Sequence, residues 1–256
     1  MIEKSLTAVI LAGGRGTRLG ALTKGIPKPL VEVQGHPLLG YSVGFAHALG
    51  ASRIVIAGSY LAEKLQSARK QFAIETILVT DSVFDPGKRI FGVLAARDFV
   101  EGDLVVFDAD YIFHQEIADA LRGSTYTEVT IHAADRISPW MTQDVVARAT
   151  GGSRLMDLVK TKGTKKNLAF NELYFNSLLY CPQQHLANFL RVVESTAAIE
   201  GMGGQHLEDA IQAYNKTNIV RVRNLGRPLW VEIDTPAELN AAQRFVAAYP
   251  GAIPHA

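Results

Sequence analysis

The chain has 256 residues, and its 26 Lys and Arg nearly balance its 25 Asp and Glu, leaving a formal net charge of +1. This balance argues against a nucleic-acid partner, because contacts to many phosphates usually require a clear basic excess. Hydrophobic residues make up 48% of the chain and charged residues 20%, which is typical of a folded domain rather than a disordered segment. The single cysteine, Cys181, excludes an internal disulfide and a cysteine metal cluster, and it fits a reducing compartment.

The first apolar run, residues 8–12, ends at Gly13 and is too short for the core of a secretory leader. Elsewhere the sequence contains no apolar stretch of the ~18 residues that a membrane span needs. We therefore expect a cytoplasmic protein without a membrane partner.

The first half of the chain alternates strand-like and helix-like segments. Short runs rich in Val and Ile predict strands buried on both faces, at residues 7–11, 53–57, 76–79 and 104–107. Helices are predicted between and after them, at residues 37–49, 61–72, 90–99 and 115–121. This alternation predicts an α/β fold with a doubly wound, mostly parallel sheet.

The second half is less regular and is expected to form a smaller elaboration of the same domain. Strands are predicted at residues 129–133, 144–149, 177–180, 219–222 and 229–233, and helices at residues 183–193, 207–214 and 235–248. Since no internal repeat and no linker composition interrupts the chain, we expect one domain over residues 1–256.

A glycine-rich loop follows the first predicted strand directly. It comprises Leu11, Ala12, Gly13, Gly14, Arg15, Gly16, Thr17 and Arg18. Its glycines allow backbone N–H groups to approach a ligand without interference from a Cβ atom. Two arginines add guanidinium donors suited to phosphate oxygens, and Lys28 follows in a rigid Pro-Lys-Pro turn.

The alternative interpretation of this loop is an ordinary strand-to-helix turn. Two better-known phosphate motifs do not fit, because Leu19 stands where a dinucleotide fingerprint needs glycine and Lys24 precedes Gly25 rather than following it. We favour a phosphate-binding loop because the two arginines and the Pro-Lys turn accompany the glycines.

Two pairs of acids with i, i+2 spacing each follow a predicted strand: Asp108 with Asp110, and Glu232 with Asp234. Ligands of open α/β sheets bind at the carboxyl ends of the strands, and two such pairs could share one cation. The alternatives are a turn-forming Asp pair and a helix cap by Asp234 or Thr235. The seven histidines show no metal-ligand spacing.

The loop, followed by Pro27-Lys28-Pro29-Leu30, resembles the nucleotidyltransferases that join a nucleoside triphosphate to a phosphorylated sugar or alcohol. The resemblance implies a Rossmann-like nucleotidyltransferase fold, with the residues from Leu11 to Arg18 and Lys28 binding the nucleotide. It also implies that Asp110, Asp234 and Glu232 bind Mg²⁺, with Asp108 as an alternate, and that Arg18, Lys28 and Asp110 are catalytic. On this basis residues 1–123 form a nucleotide-binding half, residues 124–228 an acceptor-binding elaboration, and residues 229–256 the closing strand and helix of the metal site.

Within the family, the chain is most similar to the phosphocholine and phosphonate cytidylyltransferase branch. The stretch Phe107-Asp108-Ala109-Asp110, the Pro139-Trp140 pair and the Glu232-Ile233-Asp234 ending carry this similarity. It implies CTP and a small phosphorylated or phosphonylated acceptor. The branch usually has an Asn-Asn pair before the fourth helix, where this chain has Pro86-Gly87-Lys88-Arg89-Ile90-Phe91-Gly92, and this leaves the nucleobase open. A sugar-1-phosphate enzyme using another nucleotide and a non-catalytic nucleotide-binding module remain the alternatives.

The acceptor is expected to meet Trp140, Glu172 and Lys162. The Trp140 ring could hold a quaternary ammonium by cation–π attraction, or it could be a packing residue. Lys162, or Lys160, could clamp an anionic acceptor, although a lysine cluster such as residues 160–166 is more often a solvated loop. Whether the protein forms a homodimer is left open.

Overall fold

The computed structural model describes residues 5–80, 88–136, 145–151, 153–161, 167–199, 206–226 and 229–252. Strands are β1 (Leu6–Ala12), β2 (Glu32–Val33), β3 (His36–Pro37), β4 (Arg53–Gly58), β5 (Ile77–Thr80), β6 (Asp103–Asp108), β7 (Tyr111–Phe113), β8 (Val129–Ala134), β9 (Val145–Ala149), β10 (Leu155–Lys160), β11 (Glu172–Cys181), β12 (Val220–Asn224) and β13 (Trp230–Glu232). Helices are α1 (Leu38–Ala48), α2 (Ala62–Arg69), α3 (Arg89–Ala96), α4 (Gln115–Arg122), α5 (Gln183–Ala197), α6 (Leu207–Asn215) and α7 (Pro236–Ala248). None of these helices combines the length and the apolar composition required to cross a membrane.

The predicted parallel sheet is confirmed in the first half of the chain. Strand β1 lies at its centre with β4 on one side and β6 on the other, and β5 extends the sheet beyond β4, all in parallel. Val9 stands opposite Val55 and Val106, and all three side chains are fully buried. Helices cover both faces of this sheet, which explains why its strands are nearly continuous apolar runs.

The second half continues the same sheet with antiparallel strands. Strand β11 runs antiparallel to β6, β8 and β9, β10 adds to the far side of β9, and β12 lies parallel to β8. The register of β11 against β8 shifts between Phe175 and Leu179, and Ser177 within that shift has a positive φ of 58°. Residues other than glycine rarely adopt this backbone conformation. The bulge therefore changes the direction in which the Ser177 side chain leaves the strand.

The predicted elements are present, with two kinds of difference. Strands β2, β3, β7 and β10 were not expected, since the first three have at most three residues and the charged side chains of Asp157 and Lys160 interrupt the apolar residues of β10. Strand β11 starts five residues earlier than the predicted strand at 177–180, whereas residue 144, the predicted start of β9, lies outside the described residues.

Candidate functional site

The glycine-rich loop leaves the carboxyl end of β1 and folds around Lys28. Gly16 has a φ of 65°, and a Cβ atom built on it would lie 2.9 Å from Cβ of Lys28 and 3.0 Å from Cγ2 of Thr23. The Thr23 hydroxyl donates a hydrogen bond to the Gly16 carbonyl oxygen at 2.8 Å. Both the backbone conformation and the lack of space therefore require glycine at position 16.

Acids from two distant parts of the chain meet because β7 and β13 pair with each other. Glu232 stands opposite Tyr111 in this antiparallel pair, and the backbone N–H of Ile233 donates to the carbonyl oxygen of Asp110 at 3.0 Å. One carboxylate oxygen each from Asp110, Glu232 and Asp234 lies within 4.8 Å of the other two. The pairing thus brings together three of the four acids that the sequence analysis proposed as metal ligands.

The start of α7 positions the carboxylate of Asp234. Thr235 is the N-cap, and Glu238 three residues later closes a capping box with it. The buried Glu238 carboxylate also accepts the backbone N–H of Asp234 at 3.0 Å. Since Thr235 caps the helix, the side chain of Asp234 is available to the site, and the capping alternative holds for Thr235 rather than for Asp234.

Lys28 joins two of these acids. Its Nζ atom lies 2.6 Å from Oδ2 of Asp110 and 2.5 Å from Oδ1 of Asp234, and the residue is only 5% exposed. Arg18 reaches the other oxygen of Asp234 at 2.7 Å from the solvent side. Burial disfavours the charged ammonium, but Asp110 and Asp234 more than compensate and raise the pKa of Lys28. Lys28 is therefore charged at neutral pH.

The acid cluster fits a divalent cation with oxygen ligands. Three carboxylates, those of Asp110, Glu232 and Asp234, face the two cationic side chains of Lys28 and Arg18. Oδ1 of Asp110 is buried and has no hydrogen-bond partner among the residues that the structure describes. Burial, together with repulsion from Asp110 and Asp234, raises the pKa of Glu232 well above its usual range. A hard cation such as Mg²⁺ would satisfy the orphan oxygen and relieve this repulsion.

Asp108, the alternate metal ligand, has a different partner. Its carboxylate pairs with Arg89 at the start of α3, which also pairs with Glu208 of α6 and donates to the Ser177 hydroxyl at 2.8 Å. Burial raises the pKa of Asp108 to about 6, with Arg89 acting against that shift and Asp110 and Glu208 adding to it. Asp108 and Arg89 therefore belong to a second charged cluster beside the three-acid cluster.

Both clusters line one cavity of about 380 Å³. The cavity contains most of the residues proposed from the sequence: Leu11, Gly13, Gly14, Gly16, Thr17, Arg18, Lys28, Asp108, Asp110, Glu232 and Asp234. It is completed by residues that were not proposed as a group: Lys88, Arg89, Tyr111, Val145, Lys160, Ser177, His206 and Glu208. Of these, Lys160 was named as a possible acceptor clamp, and Lys88 and Arg89 lie in the segment that departs from the resembling branch.

Two predicted nucleotide-loop residues do not line the cavity. Ala12 is buried in the sheet, and the Arg15 guanidinium lies 5.4 Å from the centre of the Tyr60 ring. Glu172 does not line it either, since its carboxylate accepts the backbone N–H of Ala169 at 2.8 Å. Its contact with the acceptor stays a prediction without support from this geometry. Trp140 and Lys162 lie outside the described residues.

Comparison with known proteins leads to the same nucleotidyltransferase family that the sequence motifs resemble. The model of the MobA-like NTP transferase domain matches residues 8–190. Choline-phosphate cytidylyltransferase of Streptococcus pneumoniae is 25% identical over 57% of this chain and 66% of its own length. Mannose-1-phosphate guanyltransferase of Schizosaccharomyces pombe is 37% identical over 44% of this chain and 33% of its own length. The aligned part thus spans less than two thirds of either relative.

A solved structure of a CTP:phosphocholine cytidylyltransferase from Streptococcus pneumoniae superposes with a TM-score of 0.75. The superposition covers 94% of this chain and 99% of the other, at 18% sequence identity. At this identity the likeness establishes the fold, and the predicted fold class is confirmed.

Proposed function

Because the chain belongs to the family of MobA-like NTP transferase domains, we propose that it is a Mg²⁺-dependent nucleotidyltransferase. It joins CTP to a small phosphorylated alcohol or a phosphonate and releases pyrophosphate. An oxygen of the acceptor forms a bond to the α-phosphorus, while the bond from that phosphorus to the bridging oxygen of pyrophosphate breaks. Because no covalent enzyme intermediate is required, the protein has to position the reactants and stabilise charge.

The observation that carries this proposal is the position of Lys28. Its ammonium lies between the glycine-rich loop and two acids that are 124 positions apart in the chain. Lys28 and Arg18 are the two cations beside that loop in the cavity wall, and their charges suit the oxygens of a triphosphate. Lys28 is held by Asp110 and Asp234 before any substrate binds, so its charge needs little reorganisation during the reaction.

The three acids have the complementary task. Asp110, Glu232 and Asp234 would hold the magnesium ion, which, when bound, supplies charge neutralisation at the α-phosphate. The exposed Arg18 lies at the outer edge of the cluster, with 63% of its side chain accessible. It can therefore turn from Asp234 to the phosphates with little loss of packing.

CTP and a small acceptor are the finer part of the proposal. The pneumococcal relative is named for cytidylyl transfer to choline phosphate, and this supports CTP and a small acceptor. The second candidate is a sugar-1-phosphate nucleotidyltransferase. The higher local identity to the guanyltransferase of Schizosaccharomyces pombe favours it.

A pyrophosphate-release screen tests the proposal. Each of the four ribonucleoside triphosphates is paired with phosphocholine, 2-aminoethylphosphonate, a polyol phosphate and glucose 1-phosphate, with and without Mg²⁺. We expect turnover with CTP and one of the first three acceptors. Turnover only with glucose 1-phosphate would establish the second candidate. Nucleotide binding without pyrophosphate release from any pair would instead identify a non-catalytic module.

A further inference from the structure

The cavity wall formed by α3, β11 and α6 contains an acid that the metal site does not use. Glu208 lies in the first turn of α6, lines the cavity and is 4% exposed. Its Oε1 atom pairs with Arg89, whereas Oε2 is buried and has no hydrogen-bond partner in the described parts of the chain. Buried carboxylate oxygens nearly always have a donor, so a missing partner at a cavity wall points to a bound ligand.

Arg89 connects this wall to the three-acid cluster. Its guanidinium pairs with Asp108, two residues before Asp110, as well as with Glu208. A small molecule whose phosphorus end lies at the three-acid cluster can therefore extend along Arg89 towards Glu208. The Ser177 hydroxyl, placed by the bulge in β11, fixes the same guanidinium at 2.8 Å.

We propose that Glu208 recognises the acceptor and selects one that ends in an N–H or O–H donor, a primary amine or a hydroxyl, over one that ends in a quaternary ammonium. This inference rests on the proposed function. A donor would complete the hydrogen bonding of Oε2, whereas a trimethylammonium group has no N–H and would leave that oxygen unsatisfied.

The described part of the lining, which does not include Trp140, agrees with this selection. Quaternary ammonium groups are generally bound against aromatic faces. Among the described lining residues the one phenol or phenyl ring is that of Tyr111, which is 1% exposed. Burial alone would raise the pKa of Glu208, but Arg89 outweighs burial and lowers it, so the carboxylate is anionic and a strong acceptor.

The test compares two acceptors that differ only in N-methylation, ethanolamine phosphate and choline phosphate. Calorimetry in the presence of Mg²⁺ and a non-hydrolysable CTP analogue gives their dissociation constants for the wild type, Glu208→Gln and the control Glu194→Gln. Glu194 is an exposed residue of α5 that pairs with Arg97. We expect the wild type and the control to bind ethanolamine phosphate at least about tenfold more tightly. In Glu208→Gln the preference should fall to about threefold or less, because the neutral amide attracts an ammonium donor less strongly.

Equal or tighter binding of choline phosphate by the wild type would overturn the inference, and so would an unchanged preference in Glu208→Gln. Binding of the CTP analogue by Glu208→Gln establishes that this variant is folded. Calorimetry measures acceptor binding and not turnover, so it tests the role of Glu208 separately from the proposed nucleotidyltransferase activity. Absence of pyrophosphate release with every substrate pair refutes the proposed function, whereas a lost or reversed acceptor preference refutes the role of Glu208.

Discussion

Replacing Lys28 by Met tests the electrostatic design of the site most directly. Methionine keeps the length of the buried apolar stem but removes the charge that lies 2.6 Å from Asp110 and 2.5 Å from Asp234. Removing one partner of a buried ion pair costs about 3–5 kcal/mol, because the remaining charges lose their compensation. For a chain of this size we expect the melting temperature to fall by roughly 6–20 °C, at about 2–4 °C per kcal/mol.

Added Mg²⁺ should reduce the difference in melting temperature between the wild type and Lys28→Met. In the wild type, Lys28 already neutralises part of the charge of Asp110 and Asp234, so a bound Mg²⁺ ion relieves less repulsion between the acids. In Lys28→Met this positive charge is missing, so the same ion relieves more repulsion. We therefore expect MgCl₂ to raise the melting temperature of Lys28→Met more than that of the wild type. The matched control is Lys24→Met, since Lys24 is exposed in the same loop region.

Differential scanning calorimetry with and without MgCl₂ measures both effects at pH 7. At this pH the contribution of Lys28 is complete. Its pKa is raised by folding, so its stabilisation is present below the unfolded-state pKa and is lost only as the pH rises through the folded-state value. A melting temperature for Lys28→Met equal to that of Lys24→Met, or the same Mg²⁺ response in all three proteins, would refute the reasoning.

Three further predictions concern catalysis, backbone strain and pH. Asp110→Asn should lower kcat/KM at least about 100-fold, because it removes a proposed metal ligand, and it should also lower the melting temperature, because Lys28 loses one of its two carboxylate partners; steady-state kinetics with residual activity above a tenth would contradict the first expectation. Gly16→Ala should be less stable than Gly35→Ala by urea unfolding, because both positions have positive φ but only position 16 lacks room for a Cβ atom; equal losses would show that the contact with Lys28 is unimportant. Burial lowers the pKa of His132 to about 4, so its stabilising contribution is present above pH 6.5 and is lost as the pH falls towards 4. Between pH 7 and pH 5 this amounts to about 2 kcal/mol, and His132→Gln should abolish that part of the pH dependence in urea titrations.

The sequence was most informative where one local rule decides the structure. The parallel strands β1, β4 and β6 are buried on both faces, so they appear in the sequence as apolar runs. The loop after β1 needs glycines for its backbone conformation, and a cluster of glycines is easily recognised in a sequence. The acid pairs were found because each follows such a run. These signals located Lys28, Asp110 and Asp234 without knowledge of any contact between them.

The Arg89–Glu208 wall could not be predicted in the same way. Glu208 is one of two acids in the first turn of an amphipathic helix, where acids are favoured by the helix dipole and are usually exposed. Its burial depends on Arg89, which lies 119 positions earlier, and on the bulge that turns Ser177 towards the same guanidinium. Such an arrangement follows from the packing of three elements, and a single sequence carries no periodic signal for it.

The geometry of the three-acid cluster depends on the pairing of two short strands and on the capping of one helix. The two-stranded ribbon of β7 and β13 lies outside the nine-stranded sheet, and its register alone sets Glu232 beside Tyr111. A shift of one residue would turn Glu232 to the other face of the ribbon. Glu238 then fixes the chain direction by accepting the backbone N–H groups of Asp234 and Thr235, at 3.0 and 2.9 Å. Capping of α7 and placement of Asp234 are therefore one structural requirement, because the capping box that starts the helix also orients the last acid of the site.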